Sequence, residues 1–156
     1  MIKNRKISGA LFKKILQSVP IATVDLIVVR GRGKNREFLL GKRANKPYQG
    51  KWFLPGGRVL LGETLEDAVK RHLRRELRLR LGHIKFVCHY CFYNPPGNLG
   101  VRYYTLYHVY EVMLKSNVRP KHDPENVTLG WFHKIDPAWP KPVREILRHA
   151  GFRASS

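Results

Sequence analysis

Two carboxylates stand where the apolar pattern leaves little room for charge. Asp25 interrupts the run Thr23-Val24-Asp25-Leu26-Ile27-Val28, inside a β-branched stretch over residues 21–30 that otherwise reads as a buried strand. A lone acid there is either a strand-end charge or a working group. Glu76 falls near the helix angle of Leu65, Val69 and Leu73. A carboxylate turned inward is costly unless it is paired or bound to metal. Arg58, Arg71 and a cation are the candidate partners for Glu76. Just upstream, Gly56 and Gly57 permit close backbone approach.

These residues need elements to hold them. Residues 56–82 read as a glycine loop followed by a helix. Thr64 is a good N-cap, and Asp67 answers it as a weak capping box. Leu65, Ala68, Val69, Leu73 and Leu77 recur at helical spacing and face a core, and Gly82 is expected to end the helix as a left-handed cap. Residues 8–19 read as an amphipathic helix capped by Ser8, and residues 142–150 as a closing helix with Pro142 in its first turn and Gly151 past its end. Strands are expected over residues 21–30 and 37–41, joined as a hairpin, and over 84–93, 101–114 and 127–133. Trp52 and Phe53 are expected in the core. The order of elements predicts an α/β fold, a mixed β-sheet between helices in an α/β/α sandwich, with residues 1–156 as a single domain.

Composition limits the field. At 156 residues and 43% hydrophobic, the chain is long enough for a proper core. No run of about 18 apolar residues exists, so no membrane span is expected. Cys88 and Cys91 make a single C-x-x-C without the second pair a zinc ribbon needs, and two reduced thiols in a cytoplasmic protein are the expected reading. Thirty Lys and Arg against eleven Asp and Glu give a net charge of +19. Such a field draws polyanions nonspecifically and would also be felt by a nucleotide substrate.

The segment 55–82 resembles a Nudix box, usually written G-x5-E-x7-R-E-U-x-E-E-x-G-U with U aliphatic. Gly57, Glu63, Arg71, Leu73 and Glu76 fall in register. His72 and Arg75 stand where two of the box glutamates belong, and Arg78 stands where its glycine belongs. In the usual box three carboxylates at i, i+3 and i+4 share a helix face and hold magnesium through oxygen. Here two of the three are gone, leaving Glu76 as the one helix ligand. The GDP-mannose mannosyl hydrolases are similar in this departure. The likeness extends to Asp25, to Phe38-Leu39-Leu40-Gly41-Lys42-Arg43-Ala44-Asn45-Lys46-Pro47, and to Gln49-Gly50-Lys51-Trp52-Phe53-Leu54-Pro55-Gly56-Gly57-Arg58-Val59.

That resemblance implies a Nudix fold and Mg²⁺-dependent hydrolysis of a nucleotide sugar, GDP-mannose above all, with Mn²⁺ as the alternative metal. It implies that water attacks the anomeric carbon and GDP leaves. It also implies that Asp25, Arg43, Arg58 and Tyr104 contact substrate, although core or cross-strand packing is nearly as good a reading of Tyr104. Arginine suits the diphosphate because its planar fork bonds two oxygens at once. A backbone carbonyl of Gly56 or Gly57 is implied as a metal ligand beside Glu76, and Arg71 as further fixed positive charge. The family's loop Gln-His pair falls on Glu125 and Asn126. Asparagine cannot be a base, so Glu125 is a candidate metal ligand or base and His122 a candidate base. The resemblance and the apolar N-terminal helix together suggest a homodimer. Two rivals stand beside this reading: attack at phosphorus of a nucleoside diphosphate derivative such as ADP-ribose, and a non-catalytic nucleotide or nucleic-acid binding module.

Overall fold

The computed structural model describes residues 6–115, 119–121 and 126–155. The elements are α1 (Gly9–Ser18), β1 (Ile21–Arg30), a 3-10 turn (Gly33–Asn35), β2 (Glu37–Arg43), β3 (Trp52–Phe53), β4 (Gly56–Arg58), α2 (Leu65–Leu77), β5 (Ile84–Asn94), β6 (Tyr103–Met113), β7 (Asn126–Phe132) and α3 (Lys141–His149). Apart from the C-terminal end of α2, the expected elements are present within a residue or two of their expected ends, the usual uncertainty of such boundaries. The strands form one mixed sheet in the order β3-β2-β1-β6-β5, with β4 also on β1 and β7 on β2.

Each face of the sheet is covered as its alternation demands. Val24, Leu26 and Val28 of β1 pack with Ala68, Val69, Leu73 and Leu77 of α2. Ile27 and Val29 face the other way and pack with Val143, Ile146 and Leu147 of α3. No helix among the described residues is long and apolar enough to cross a membrane.

The pairing of β1 opens the site. Its β6 edge is continuous and parallel, from Ile21↔Thr105 to Val29↔Met113. Its other edge is divided. The hairpin with β2 holds only at Val29↔Phe38 and Arg30↔Glu37, while β4 takes over at Thr23↔Arg58, Val24↔Gly57 and Asp25↔Gly56. Because β2 diverges from β1 toward β3 and β7, a cavity is left beside Asp25.

One helix end differs from expectation. α2 stops at Leu77, five residues before Gly82, and the left-handed residue is Arg78 at φ +55°. The backbone N–H groups of Arg78 and Leu79 both turn back to the Leu73 carbonyl, which places Leu79 in the core beneath the helix. Burial of Leu79 decides the stop, against the preference of any residue with a Cβ, here Arg78, for negative φ. The N-terminus of α2 follows the sequence closely: Thr64 Oγ1 accepts from the Asp67 N–H, and Asp67 accepts from the Thr64 N–H.

Candidate functional site

A cavity of about 550 Å³ lies between β1, β4, β6, α1 and the loop after β2. Of the residues singled out from sequence, Asp25, Arg43, Gly56, Gly57, Arg58 and Glu76 all line it. Arg71 and Tyr104 are not part of the lining among the described residues. His122 and Glu125 lie outside the described residues.

Glu76 is buried, but its partners are not the arginines expected from sequence. Its Oε1 lies 2.7 Å from His72 Nδ1, and its Oε2 accepts the Gly56 N–H at 3.1 Å. His72 sits one helical turn before Glu76, so the i, i+4 spacing brings the two together. That spacing was the available signal. The other ring nitrogen of His72 lies 3.3 Å from the Arg58 carbonyl oxygen. The imidazole therefore spans from the helix to β4. It also explains Gly57: a Cβ there would stand 2.8 Å from His72 Cε1. Gly56 adopts φ +140° with its missing Cβ directed at the Val24 carbonyl of β1. Only glycine allows that approach.

Asp25 is 4% exposed. Burial pushes its carboxyl up to about 7; the Thr23 hydroxyl, His72 and Arg43 oppose this, and Glu76 adds to it. The Thr23 hydroxyl lies 2.6 Å from Asp25 Oδ2. A carboxyl balanced near neutrality, in a cavity beside a second carboxylate, can exchange a proton at working pH.

The arginines divide into two groups. Arg43 bends over its own loop, its Nε donating to the Pro47 carbonyl at 2.8 Å. Arg58 reaches over the ring of Phe12 from α1, its Cζ 4.3 Å from the centroid, a cation–π contact. Both line the cavity. Arg71 instead grips Glu63 in a two-point contact, Nε–Oε1 at 2.5 Å and Nη2–Oε2 at 2.9 Å, and also donates to the Arg58 carbonyl at 2.8 Å. Its charge is spent on the loop, not turned to the cavity as expected.

Strand alternation decides the tyrosines. Thr105 and Tyr107 share a face of β6 with Tyr103, and all three line the cavity. Tyr104 points to the opposite side, 40% exposed, beside Tyr93 and Cys91. A one-residue step on a strand reverses the face. The buried residues Asn94 and Tyr107, and Tyr48 in the loop after β2, were not singled out as site residues. They meet across that loop, β5 and β6, a convergence that no local pattern announces.

The donor set can be tested against the expected metal. No cluster of three His, Cys, Asp or Glu able to hold a metal exists among the described residues. Glu76 with the carbonyls of Gly56 and Gly57 supplies hard oxygen donors but only one helix carboxylate. That suits Mg²⁺ of the kind that takes one or two carboxylates and fills its shell with substrate phosphates and water.

The NUDIX domain family model matches residues 19–150. The low-salt glycan biosynthesis protein Agl8 of Haloferax volcanii is 42% identical over 66 residues, covering 42% of this chain and 40% of that protein. The ADP-ribose pyrophosphatase of Methanocaldococcus jannaschii is 43% identical over 60 residues, covering 38% of this chain and 33% of that protein. The matched stretch thus spans less than half the length of either curated relative. Among solved structures, the MutT NUDIX hydrolase from Burkholderia pseudomallei superposes with a TM-score of 0.70 at 26% identity, covering 85% of this chain and 98% of that one. The NUDIX domain of Shewanella oneidensis NrtR, cocrystallised with ADP ribose, shares the fold with a TM-score of 0.59 at 20% identity, over 91% of this chain and 88% of that one.

Proposed function

The chain belongs to the Nudix family, and from that premise we propose that it hydrolyses a nucleotide sugar, GDP-mannose first, to the nucleoside diphosphate and the free sugar. The observation that carries this reading is that the helix has His72 and Arg75 in place of two box carboxylates, while Glu76, Asp25, Arg43 and Arg58 together line one cavity. Chemistry at phosphorus usually draws on several acidic metal ligands. Expulsion of a diphosphate from a sugar needs mainly a neutralised leaving group. The likeness to a glycan biosynthesis protein supports a sugar-bearing substrate.

The chain's own groups divide the work. Arg43 and Arg58 hold the diphosphate and stabilise the charge that grows on it as the bond from the anomeric carbon to phosphate oxygen breaks. A water oxygen forms the new bond to that carbon, and its proton passes to the Asp25 carboxylate. Mg²⁺ or Mn²⁺, bound by Glu76 and the Gly56 and Gly57 backbone, would supply further neutralisation of the diphosphate. Glu125 remains in the proposal as an added ligand or base and His122 as a base; both precede β7 in sequence and lie outside the described residues. His72 keeps Glu76 aimed at the glycine loop.

A second reading, attack at phosphorus, is favoured by the identity to an ADP-ribose pyrophosphatase. The products decide. Incubation with GDP-mannose and Mg²⁺ is expected to release GDP and mannose. Release of GMP and mannose 1-phosphate would establish the second reading, and no turnover of GDP-mannose, other nucleotide sugars or ADP-ribose would overturn both.

A further inference from the structure

At the cavity floor, Asn94 is 1% exposed and every hydrogen-bonding position of its amide is taken. Its Oδ1 accepts from the Tyr48 hydroxyl at 3.1 Å and from the Tyr107 hydroxyl at 3.0 Å. Its Nδ2 donates to Thr105 Oγ1 at 2.8 Å and to the Phe92 carbonyl at 3.5 Å. A flipped amide would set Oδ1 against the Phe92 carbonyl, two acceptors face to face, so the backbone of β5 fixes the orientation.

The polarity of the floor follows. A hydroxyl has one proton. Tyr48 and Tyr107 give theirs to Asn94 and keep only lone pairs for a ligand. Thr105 Oγ1 receives the Asn94 proton, and no acceptor among the described residues takes Thr105's own. All three side chains line the cavity. Tyr48 is held there at φ +65°, a conformation a tyrosine seldom adopts, and its ring stacks on Phe53 at 5.2 Å. Strain of this kind persists where the surroundings over-determine it.

We propose that Tyr48, Tyr107 and Thr105, set in polarity by Asn94, form a neutral recognition subsite for a ligand group that offers two N–H or O–H donors beside one acceptor. Two parts of the proposed substrate carry that chemistry: a vicinal diol of the sugar, and the guanine edge with its N1–H and N2–H donors and O6 acceptor. Adenine, with one donor beside one acceptor on the matching edge, fits less well. The inference rests on the cavity being the nucleotide-sugar site, but its test does not rest on turnover.

The test is equilibrium binding of GDP-mannose and of GDP to the wild type, Tyr48→Phe and Tyr107→Phe, by calorimetry with Ca²⁺ replacing Mg²⁺ to hold turnover down. Each variant leaves Asn94 Oδ1 with the other tyrosine, so neither orphans a buried acceptor, and unchanged melting temperatures would verify this. The expected result is about three- to tenfold weaker binding in each variant, the weight of one neutral hydrogen bond. Weakening for GDP-mannose alone assigns the subsite to the sugar; equal weakening for both ligands assigns it to guanine. Unchanged binding of both ligands, or no binding by the wild type, overturns the proposal. Weakened binding alongside a wild type that fails to hydrolyse GDP-mannose would sink the proposed reaction and leave the subsite standing.

Discussion

The pairs Glu63–Arg71 and His72–Glu76 sit within one loop–helix unit and differ in their surroundings. Glu63 and Arg71 lie part-exposed, joined at two points, with the remaining contacts going to the Leu60 N–H and the Arg58 carbonyl. That cluster closes on itself and braces the loop between β4 and α2. His72 and Glu76 are buried, and Glu76 lines the cavity. The first pair strengthens the scaffold. The second keeps a carboxylate at the wall of a cavity, where burial of charge is costly. Both pairs touch the Arg58 carbonyl of β4, yet only Glu76 lines the cavity, so proximity in sequence says little about purpose.

The largest expected effect is on the buried pair. Glu76→Gln should reduce turnover by about 10²–10³ while circular dichroism and melting temperature stay close to wild type, and Arg58→Gln should behave alike. A wild-type rate in either variant would erase the distinction between the two pairs. Asp25 extends the contrast to stability. Its carboxyl is pushed up to about 7 by burial, against about 3.9 in the unfolded chain. Between those values the folded protein holds a proton that the unfolded chain has released, so stability falls as pH rises from about 4 through 7. Asp25→Asn should remove that slope, gain on the order of a few kcal/mol at pH 8, and abolish most activity. Denaturant titrations at pH 5 and pH 8 measure it, and an unchanged slope would show that Asp25 is not the titrating group.

Smaller effects belong to the brace. Arg71 holds the Glu63 carboxyl below its ordinary range, chiefly by hydrogen bonding and aided by the Leu60 N–H. Stability from this pair is present above the unfolded carboxylate value and is lost as pH falls through the lower folded value. Glu63→Gln should cost about 1–3 kcal/mol at neutral pH and flatten part of the acid-side loss. A drop in turnover as large as that of Glu76→Gln with stability intact would instead place Glu63 in the reaction. Smallest is Arg78→Gly, which relieves a side chain at φ +55° and should stabilise by about 1 kcal/mol without altering kinetics. A loss of stability there would mean that Arg78 makes a contact outweighing its strain.

Much of the site was legible because its chemistry conflicts with its pattern. Asp25 in an apolar strand and Glu76 on an apolar helix stripe stand out in one dimension, and both line the cavity. Arg43, Arg58 and the two glycines were legible through the resemblance. Arg71 was placed in the site by its register in the resemblance, although Glu63 lay eight residues upstream to receive it. Tyr104 was chosen over Tyr103 and Tyr107 by register, and a strand reverses its facing at every residue.

What the sequence determined by itself is the set of elements: capping residues, the 3.6-residue and two-residue periods, and turn glycines are local physics written in order along the chain. Tertiary structure alone decided three things. The end of α2 at Leu77 follows from burial of Leu79 rather than from the nearest glycine. The partner of Glu76 is His72 because β4 closes the space above both. The polarity of the cavity floor follows from Asn94 meeting Tyr48 across 46 positions of chain. Each depends on which groups share a water-free space, and exclusion of water is a property of the packed chain that no short stretch of it possesses.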